Sequence, residues 1–336
     1  MALKIAINGY GRIGRLVHRA LVESGRTDMQ VIAINDLADI KTNVHLVKYD
    51  TVHGPSPFDV TAIDDDTMSV NGQEIQVYSE RDPADLPWST LDIDIVFECS
   101  GVFTKRDMAQ KHIDAGAKRV LISAPATDED LTVVYGVNHD KLTADHVIVS
   151  NASCTTNCLA PIAKTLNDAI GIDKGFMTTI HAYTGDQRIV DTAHKDLHRA
   201  RAAACNMIPT STGAAKAVGK VLPELNGKLD GVSMRVPTPN VSVVDFKFNT
   251  NKPTSVDEVN AAIQSAVSGP LKGILACYDE PLVSGDFNHN PHSSIFALNE
   301  TKVIDGTLVR IMSWYDNEWG FSNRMLDTAA VMGKLL

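Results

Sequence analysis

The stretch "LKIAINGYGRIGRLVHRALVES", residues 3–24, joins a short apolar run to a helical pattern through three glycines. The apolar run is rich in isoleucine and ends in glycine, which is typical of a buried strand. Apolar residues then recur at helical spacing from Ile13 to Leu21, and a second apolar run, "MQVIAIND", follows at residues 29–36. This order of strand, helix and strand predicts a βαβ unit with a right-handed crossover and a parallel sheet.

The glycines of "GYGRIG" stand where the first strand meets the helix. Gly9 permits the tight turn, Gly11 lets the backbone approach a pyrophosphate, and Gly14 lets helix and strand pack closely. Amide groups at the helix start then face the phosphates. Asp36 ends the second strand, at about the 20-residue distance expected of a carboxylate that binds a ribose 2′-hydroxyl. A structural glycine turn is the competing interpretation. This context favours a dinucleotide site, and the charge of Asp36 favours NAD over NADP.

The alternation of strands and helices continues to about residue 151. The later segments are the strand "DIDIVFECSG", the helix "TKRDMAQKHIDAG" and the strands "KRVLIS" and "HVIVSN". Together they predict a Rossmann-type doubly wound sheet, which binds ligands beyond the carboxyl ends of its strands. That rule indicates Ser100, Gly101 and Ser123 as residues on the cofactor side. Between residues 50 and 90, Asn71-Gly72 predicts an antiparallel hairpin.

The second half of the chain has a different strand pattern. From about residue 170 the strands become longer and more antiparallel: "GFMTTIHAY", "GVSMRVP", "VSVVDFKFN", "ILACYDE", "SSIFALNE" and "LVRIMSWYD". The last two are expected to flank a turn at Asp305-Gly306. "SVDEVNAAIQSAVSG" reads as a helix with Ser255 as N-cap and Glu258 three residues on.

A parallel half followed by a mostly antiparallel half predicts two domains of different architecture. We expect residues 1–153 to form an α/β dinucleotide-binding domain, and residues 154–318 to form an α+β catalytic domain with a mostly antiparallel sheet. The closing amphipathic helix, at about residues 319–336, is expected to dock back onto the first domain.

Length, charge and cysteine content limit the class of protein. The 336 residues carry a formal net charge of −10 and five cysteines. The N-terminal residues lack the features of a signal peptide, and no run approaches the ~18 apolar residues of a membrane span. We therefore expect a cytoplasmic protein with reduced thiols and no membrane contact. The net negative charge offers nucleic acid no general electrostatic attraction. We therefore do not expect nucleic acid to be a required partner.

The stretch "SNASCTTNCLAPI", residues 150–162, holds two cysteines whose roles must be distinguished. A disulfide is unexpected with reduced thiols, and a zinc site would need a second pair of ligands that the chain does not offer. Cys154 stands where a helix can begin, and a helix N-terminus lowers a thiol pKa. Cys158 is expected to be a small buried side chain. Pro161 either kinks this helix or delays its start.

An active cysteine needs a base, and the chain offers His181 in "TTIHAYTGDQ", at a strand end. A lone histidine in such a place is more often structural. The residues alone therefore leave open both the pairing of His181 with Cys154 and a purely structural role for the cysteine.

Six segments, taken together and in order, closely resemble the phosphorylating glyceraldehyde-3-phosphate dehydrogenase family. They are "INGYGRIGR", "SNASCTTNCLAP", "TIHAYTGDQ", "RARAAACNMIPTSTGAAKAVGKVLPEL", "MRVPTPNVSVVD" and "SWYDNEWGFSNR". The resemblance implies that Cys154 is the nucleophile and His181 its base. It implies oxidation of D-glyceraldehyde 3-phosphate with NAD and inorganic phosphate to 1,3-bisphosphoglycerate, through a hemithioacetal and a thioester. It also implies a homotetramer that acts in glycolysis or gluconeogenesis.

The same resemblance carries binding roles to individual residues. The set around the substrate's phosphate comprises Thr184, Asp186 and Arg235. The set around the attacking phosphate comprises Ser153, Thr155, Arg199, Thr212 and Gly213, although Thr212-Gly213 alone could be no more than a helix-start turn. The further cofactor contacts are Arg12, Ile13, Asp36, Arg81, Ser123 and Asn317, of which Asn317 is expected to hold the nicotinamide carboxamide.

Two departures bear on cofactor choice and substrate. The segment 184–207 resembles the loop that in the family reaches a neighbouring subunit's cofactor. It has Thr192-Ala193 where many strictly NAD-dependent members have Leu-Pro, which makes NADP a weaker alternative cofactor. Leu37, directly after Asp36, instead matches NAD-dependent members. The related erythrose-4-phosphate dehydrogenase lacks the "YTGDQ" segment and is the second candidate. The alternative that is not an enzyme is a non-catalytic homologue that binds NAD or associates with RNA.

Overall fold

The strands of the N-terminal half form one nine-stranded sheet in the computed structural model, which describes residues 2–336. Its strands are β1 (Leu3–Asn8), β2 (Met29–Asn35), β3 (Val60–Ala62), β4 (Thr67–Val70), β5 (Gln73–Tyr78), β6 (Ile95–Glu98), β7 (Arg119–Ile122), β8 (Leu131–Thr132) and β9 (Ile148–Ser150). Their order is β3-β4-β5-β2-β1-β6-β7-β9-β8. All pairs from β5 to β8 are parallel. The predicted Rossmann-type sheet is therefore confirmed.

Consecutive residues of the central strand show why its sequence is continuously apolar. Ile5, Ala6 and Ile7 are all fully buried, so both faces of β1 are covered. The helices of this part are α1 (Arg12–Glu23), α2 (Ile40–Lys48), α3 (Trp88–Leu91) and α4 (Arg106–Asp114). Helix α1 directly follows the glycine turn, as the first βαβ unit requires.

The insertion between β2 and β6 contains the predicted hairpin. Asn71 and Gly72 have φ of 51° and 81°, the two positive values that a tight two-residue hairpin turn needs. They join β4 to β5 in an antiparallel pair. Strand β5 also pairs in parallel with β2, so the insertion extends the main sheet.

Residues 153–321 hold an eight-stranded sheet that is mostly antiparallel, as predicted. Its strands are β10 (Ile172–Ala182), β11 (Ile208–Ser211), β12 (Leu229–Val236), β13 (Ser242–Thr250), β14 (Leu275–Tyr278), β15 (Ser294–Ala297), β16 (Lys302–Ile304) and β17 (Leu308–Tyr315). The order is β11-β12-β10-β13-β17-β15-β14, with β16 beside β17. The β10–β12 and β14–β15 pairs are parallel, and the others are antiparallel.

The turn at Asp305-Gly306 joins a different pair of strands from the one expected. It connects the short strand β16 to β17, whereas the sequence pattern placed it directly between β15 and β17. The apolar run of β15 ends at Ala297, and a short helical turn then leads into β16. Strand β16 has only three residues, too few to show an alternating pattern.

Three helices accompany this sheet: α5 (Cys154–Ile170), α6 (Ala214–Val221) and α7 (Val256–Ser268). Helix α7 begins with the predicted capping box of Ser255 and Glu258. Helix α5 begins at Cys154 and runs through Pro161 as one element. The alternative prediction, that Pro161 delays the start of this helix, is therefore wrong.

The contacts divide the chain into two units. The first contains the residues up to Val133, His139–Ala152 and Ser322–Leu336, and the second contains Val134–Asn138 and Ser153–Phe321. The closing helix, α8 (Trp319–Gly333), contributes most of its length to the first unit. There Thr328 Oγ1 donates to Asn151 Oδ1 at 2.8 Å, and Asp327 pairs with Arg26 at 2.7 Å. Within residues 2–336, no helix is long and apolar enough to cross a membrane.

Candidate active site

Helix α5 presents Cys154 as its first residue. Ser153 is the N-cap, with extended backbone, and its Oγ accepts a hydrogen bond from the N–H of Thr156 at 3.1 Å. This capping satisfies one of the free amides of the first turn and holds the helix start in place. The thiol therefore lies at the positive end of the helix dipole.

The structure brings His181 to this thiol. His181 is the penultimate residue of β10, and its Nε2 lies 3.6 Å from Cys154 Sγ. Its Nδ1 lies 2.7 Å from the carbonyl oxygen of Ala182. The ring of Tyr315 packs edge-on against the imidazole, with 5.9 Å between ring centroids. The sulfur and the imidazole nitrogen are close enough for direct proton transfer.

Burial dominates the ionisation of this pair. It raises the pKa of Cys154, although the charge of Arg235 and hydrogen bonds with Thr155 act in the opposite direction. Burial, together with the charges of Arg235 and Arg199, lowers the pKa of His181 to about 3, although the hydrogen bond with Ala182 acts in the opposite direction. The expectation of a lowered pKa for this thiol is therefore wrong, because desolvation of the sulfur outweighs the charge of Arg235 and the hydrogen bonds at the helix start.

Arg235 reaches His181 through strand pairing. In the parallel β10–β12 pair it is the register partner of His181. Its Nη1 lies 2.7 Å from His181 Nδ1 and donates to Ala182 O at 2.9 Å. Its Nε is buried and has no hydrogen-bond partner among residues 2–336. The guanidinium thus offers donors and positive charge beside the histidine.

Arg199 belongs to a second cluster that the sequence did not indicate as a unit. Its Nη1 lies 2.5 Å from Asp186 Oδ2, and its Nε donates to Thr210 Oγ1 at 3.0 Å. Thr210 in turn donates to Asp196 Oδ2 at 2.8 Å. Asp186, expected near the substrate's phosphate, thus directs its carboxylate to Arg199. A carboxylate repels phosphate, and this one is paired with the guanidinium instead.

The other residues expected to bind phosphate have different surroundings. Thr155 is buried, and its hydroxyl lies 2.8 Å from the Tyr315 hydroxyl, so it faces the core. Thr184 donates its backbone N–H to the side chain of Gln187. Thr212 Oγ1 accepts from Ala214 N at 3.2 Å where α6 begins. Gly213 is exposed beside it as the residue before α6.

Cys158 lies one turn further along α5 in an apolar setting. It is fully buried, as predicted, with its sulfur 3.5 Å from Ser294 Oγ and 3.8 Å from Ser313 O. Burial raises its pKa to about 12, so the thiol stays protonated. All five cysteines are free. Among residues 2–336, no group of three or more His, Cys, Asp or Glu side chains is arranged to hold a metal ion.

The first unit contains a cavity of about 400 Å³ beside the glycine turn. Its lining is contributed by the last residues of β1 and β2 and by the loops that follow β1, β2, β5 and β6: Asn8, Gly9, Gly11, Asn35, Asp36, Leu37, Glu80, Arg81, Cys99, Ser100, Val102 and Phe103. A Cβ on Gly9 would lie 2.5 Å from the Ser100 backbone, and one on Gly14 would lie 2.2 Å from Gly9 O. A Cβ on Gly11 would meet nothing within 4 Å, which leaves open space at the helix start. These residues fit a dinucleotide.

Two charged residues of this region also hold the turn itself. Asp36 accepts hydrogen bonds from the N–H of Tyr10 at 2.7 Å and from that of Ala38 at 2.9 Å. The guanidinium of Arg12 pairs with Asp50 at 3.0 and 3.3 Å. Arg12 would therefore meet a phosphate mainly through its backbone amide at the start of α1.

The remaining expected cofactor residues lie apart from this cavity's lining. Ile13 is the second residue of α1 and half-buried. Ser123 follows β7 and donates its backbone N–H to Glu98 O at 2.9 Å. Asn317 belongs to the second unit, where its Oδ1 accepts a hydrogen bond from Ser242 Oγ at 2.8 Å.

Comparison with known proteins covers both units. A family model described as "Glyceraldehyde 3-phosphate dehydrogenase, NAD binding domain" matches residues 3–106, and that of the C-terminal domain of the same enzyme matches residues 153–317. The chain belongs to the glyceraldehyde-3-phosphate dehydrogenase family. Similar proteins of that name include those of Xanthobacter flavus (66% identity) and Cereibacter sphaeroides (63%). Glyceraldehyde-3-phosphate dehydrogenase 1 of Bacillus subtilis is 56% identical. Each alignment covers 99% or more of both chains.

Membership of the glyceraldehyde-3-phosphate dehydrogenase family makes the chain an NAD-dependent oxidoreductase, as the sequence predicted. The cavity beside Gly9 and Gly11 lies in the part matched by the NAD-binding model. Cys154 and His181 both lie in the part matched by the C-terminal model.

Proposed function

We propose that the chain oxidises D-glyceraldehyde 3-phosphate, with NAD and inorganic phosphate, to 1,3-bisphosphoglycerate. The observation that carries this proposal is the 3.6 Å approach of His181 Nε2 to Cys154 Sγ, in a chain of this family. A thiol and an imidazole at this distance can perform covalent aldehyde chemistry.

The first step forms a bond between the Cys154 sulfur and the aldehyde carbon. We assign the imidazole proton to Nδ1, where it is donated to the Ala182 carbonyl, and we assign the Arg235 Nη1 donor to that same carbonyl; His181 Nε2 is then free to accept the thiol proton. The low pKa of His181 means that the imidazole is neutral at pH 7 and available as a base. As the sulfur adds, the proton passes from Nε2 to the carbonyl oxygen, which gives a hemithioacetal.

The second step oxidises that carbon by two electrons. Bound NAD supplies the acceptor for the hydride that leaves the carbon. At the same time His181 Nε2 takes the hydroxyl proton, and the product is a thioester on Cys154. A phosphate oxygen then attacks the thioester carbonyl. The sulfur leaves as thiolate and recovers its proton from His181, and the acyl phosphate departs.

The chain must also bind two anions, and its arginines suit that task. Arg235 and Arg199 both act electrostatically on His181, which means that their charges lie near the reacting atoms. Arg235 is proposed to bind the substrate's phosphate, with Thr184 beside it. Arg199, held by Asp186, is proposed to bind the attacking phosphate, with Ser153 and the Thr212-Gly213 turn. Asn317 remains the proposed contact for the nicotinamide carboxamide.

We also propose that the chain works as a homotetramer. The segment 184–207 leaves large apolar side chains in contact with water: Ile189, Val190 and Leu197 are 85%, 68% and 81% exposed, and Met207 at its end is 74% exposed. Apolar side chains concentrated on one segment indicate a surface that another chain covers. The proposed occupant is a second copy of this chain.

The deciding experiment is NADH formation with glyceraldehyde 3-phosphate, in the presence and absence of inorganic phosphate. Sustained turnover should require phosphate, because phosphate releases the acyl group from Cys154. A higher kcat/KM with erythrose 4-phosphate would assign the second candidate activity instead. NAD binding without NADH formation from either aldehyde would identify a non-catalytic homologue.

A further inference from the structure

A line of buried polar side chains crosses the carboxyl ends of three adjacent strands, and the proposed reaction uses none of them. Asn35, Asn8 and Glu98 are the last residues of β2, β1 and β6, which are neighbours in the sheet. Their exposed fractions are 5%, 2% and 1%. Asn35 Nδ2 donates to Asn8 Oδ1 at 2.7 Å, and Asn8 Nδ2 donates to Glu98 Oε2 at 2.6 Å.

Glu98 is the acceptor on which this line ends. Its Oε2 accepts from Asn8 Nδ2 and from His112 Nε2, the latter at 3.0 Å. Its Oε1 accepts from the backbone N–H of Ser100 at 2.8 Å and from the Ser100 hydroxyl. Four donors therefore converge on one carboxylate, which matches the acceptor capacity of its two oxygens.

The direction of the bond from His112 is fixed by Trp88. The indole Nε1–H can only donate, and it donates to His112 Nδ1 at 3.0 Å. Nδ1 must then carry a lone pair, so the imidazole proton is on Nε2 and points to Glu98. His112 and Trp88 are both fully buried, so water does not compete for these bonds. The imidazole proton of His112 is thereby assigned to Glu98 Oε2.

The cluster reaches the cofactor cavity directly. Asn8, Asn35 and Ser100 all line the cavity. Gly9 leaves so little room against the Ser100 backbone that a displacement of Ser100 would also move the glycine turn. We propose that Glu98 is a positioning residue for NAD: its carboxylate holds Ser100 and Asn8 in the geometry that the cavity offers the dinucleotide. The proposal rests on NAD binding by this part of the chain and not on the proposed aldehyde oxidation.

The test exchanges the carboxylate and the amide across one hydrogen bond. In Glu98→Gln, one amide must face either Ser100 or the donors of Asn8 and His112, so at least one buried donor loses its acceptor. In Asn8→Asp, two carboxylates meet. In the double variant Asn8→Asp/Glu98→Gln, the new amide can donate to the new carboxylate while its oxygen accepts from Ser100. The carboxylate introduced at position 8 can also accept from Asn35 and from His112, whose Nε2 is 3.4 Å from the present Asn8 Nδ2.

Titration calorimetry should show that each single variant binds NAD at least about tenfold more weakly than the parent, since hydrogen bonds to a buried charge are among the strongest. The double variant should recover most of the affinity. A purely structural role would lower thermal stability without this pattern in the dissociation constant. Emission of Trp88 should follow the same order, because its indole is bonded to His112.

Two controls separate binding from folding. Glu74→Gln changes an exposed carboxylate of β5 in the same unit and should leave the affinity unchanged. The rate of Cys154 alkylation without NAD should be the same in all variants. If Glu98→Gln does not fold, Ser100→Ala removes the hydroxyl that donates to Glu98 and accepts from the N–H of Val102, and it should weaken NAD binding by a few-fold. Affinity in Glu98→Gln within about twofold of the parent, or a double variant no tighter than the single ones, would overturn the proposal.

Discussion

Arg235 lies opposite His181 in the parallel pairing of β12 with β10, and its Nη1 is 2.7 Å from the histidine Nδ1. One strand thus supplies the imidazole and the next supplies a cation beside it. Burial lowers the pKa of His181 and raises that of Cys154, and the charge of Arg235 lowers both. The same guanidinium is therefore expected to influence both reacting groups before any substrate binds.

Replacing Arg235 with Leu should move thiol alkylation to higher pH. Loss of the positive charge disfavours the thiolate, so the pKa of Cys154 should rise further, while the pKa of His181 should rise as well. The measurement is the rate of iodoacetamide reaction with Cys154 from about pH 6 to 10, which brackets the usual thiol range. Arg235→Lys keeps the charge and is the matched control. Identical alkylation profiles in the parent and the Leu variant would show that Arg235 does not act on the thiol.

The two cysteines of α5 should respond very differently to substitution. Cys154→Ser should abolish aldehyde oxidation, because a hydroxyl is a far poorer nucleophile than a thiolate. Cys158→Ser should keep most of the turnover and lose about 1–3 kcal/mol of stability, because a hydroxyl is buried in place of a thiol. Mass spectrometry after limited alkylation gives an independent measurement. Modification of Cys158 before Cys154 would contradict the assignment.

His181→Asn should lower the rate of NADH formation by about 10² to 10⁴, the usual effect of losing a general base. Asparagine keeps a polar side chain at the end of β10 but cannot take the hydroxyl proton. The dissociation constant of NAD, measured by calorimetry, should change little, because His181 is not among the residues that line the cavity beside Gly9 and Gly11. A rate within about tenfold of the parent would remove His181 from the proposed mechanism.

Acid should destabilise the protein through a histidine that the proposed reaction does not use. His18 is fully buried with the Tyr10 hydroxyl at 2.7 Å, and burial lowers its pKa to about 4. The folded chain thus keeps His18 neutral while the unfolded chain binds a proton below about pH 6.5. As pH drops from about 6.5 to 4, the contribution of His18 should lower the free energy of unfolding by about 1.4 kcal/mol per pH unit. This stability should return as pH rises.

Denaturant unfolding of His18→Gln across that range should give a shallower pH dependence than the parent. Tyr10→Phe is the control: it removes the hydroxyl but leaves the histidine buried, so the slope should remain although overall stability falls. An unchanged slope in His18→Gln would mean that another group causes the acid sensitivity.

The sequence predicted those features that depend on neighbouring residues. The glycine turn, helix α1 and the hairpin at Asn71-Gly72 each follow from short-range patterns, and the structure confirms them. Strand β16 was not found, because three residues cannot display a period. Helix α5 continues through Pro161 within a fully buried stretch, where tertiary packing compensates for the missing amide.

The site required contacts between residues far apart in the chain. The bond from Asn8 to Glu98 joins residues 90 apart in the chain, and the Asp186–Arg199 and His112–Glu98 contacts depend on how the chain between their residues folds back, so no local pattern encodes them. The prediction of a lowered pKa for Cys154 was wrong for the same reason. A helix start is visible in sequence, whereas the burial that opposes it depends on the whole fold. Glu98 has one local signal, an acidic residue at the end of an apolar strand.

Cofactor choice and assembly form the last prediction. Asp36 should make NAD the better cofactor, because its carboxylate would face the 2′-phosphate of NADP. It also holds the N–H groups of Tyr10 and Ala38, so Asp36→Ala would loosen the glycine turn as well. Asp36→Asn is the sharper variant, since it removes the charge but keeps an acceptor. It should weaken the preference for NAD.

Thr192 and Ala193 are exposed on the segment proposed to face a second copy of the chain. Thr192→Leu with Ala193→Pro should suppress NADP use and leave NAD use nearly unchanged, because the larger side chains would occupy the space near the partner's adenosine ribose. The measurement is kcat/KM for both cofactors in the parent and both variants, with mass by light scattering. A fully active monomer would refute the shared site, and a parent that prefers NADP would refute the role given to Asp36.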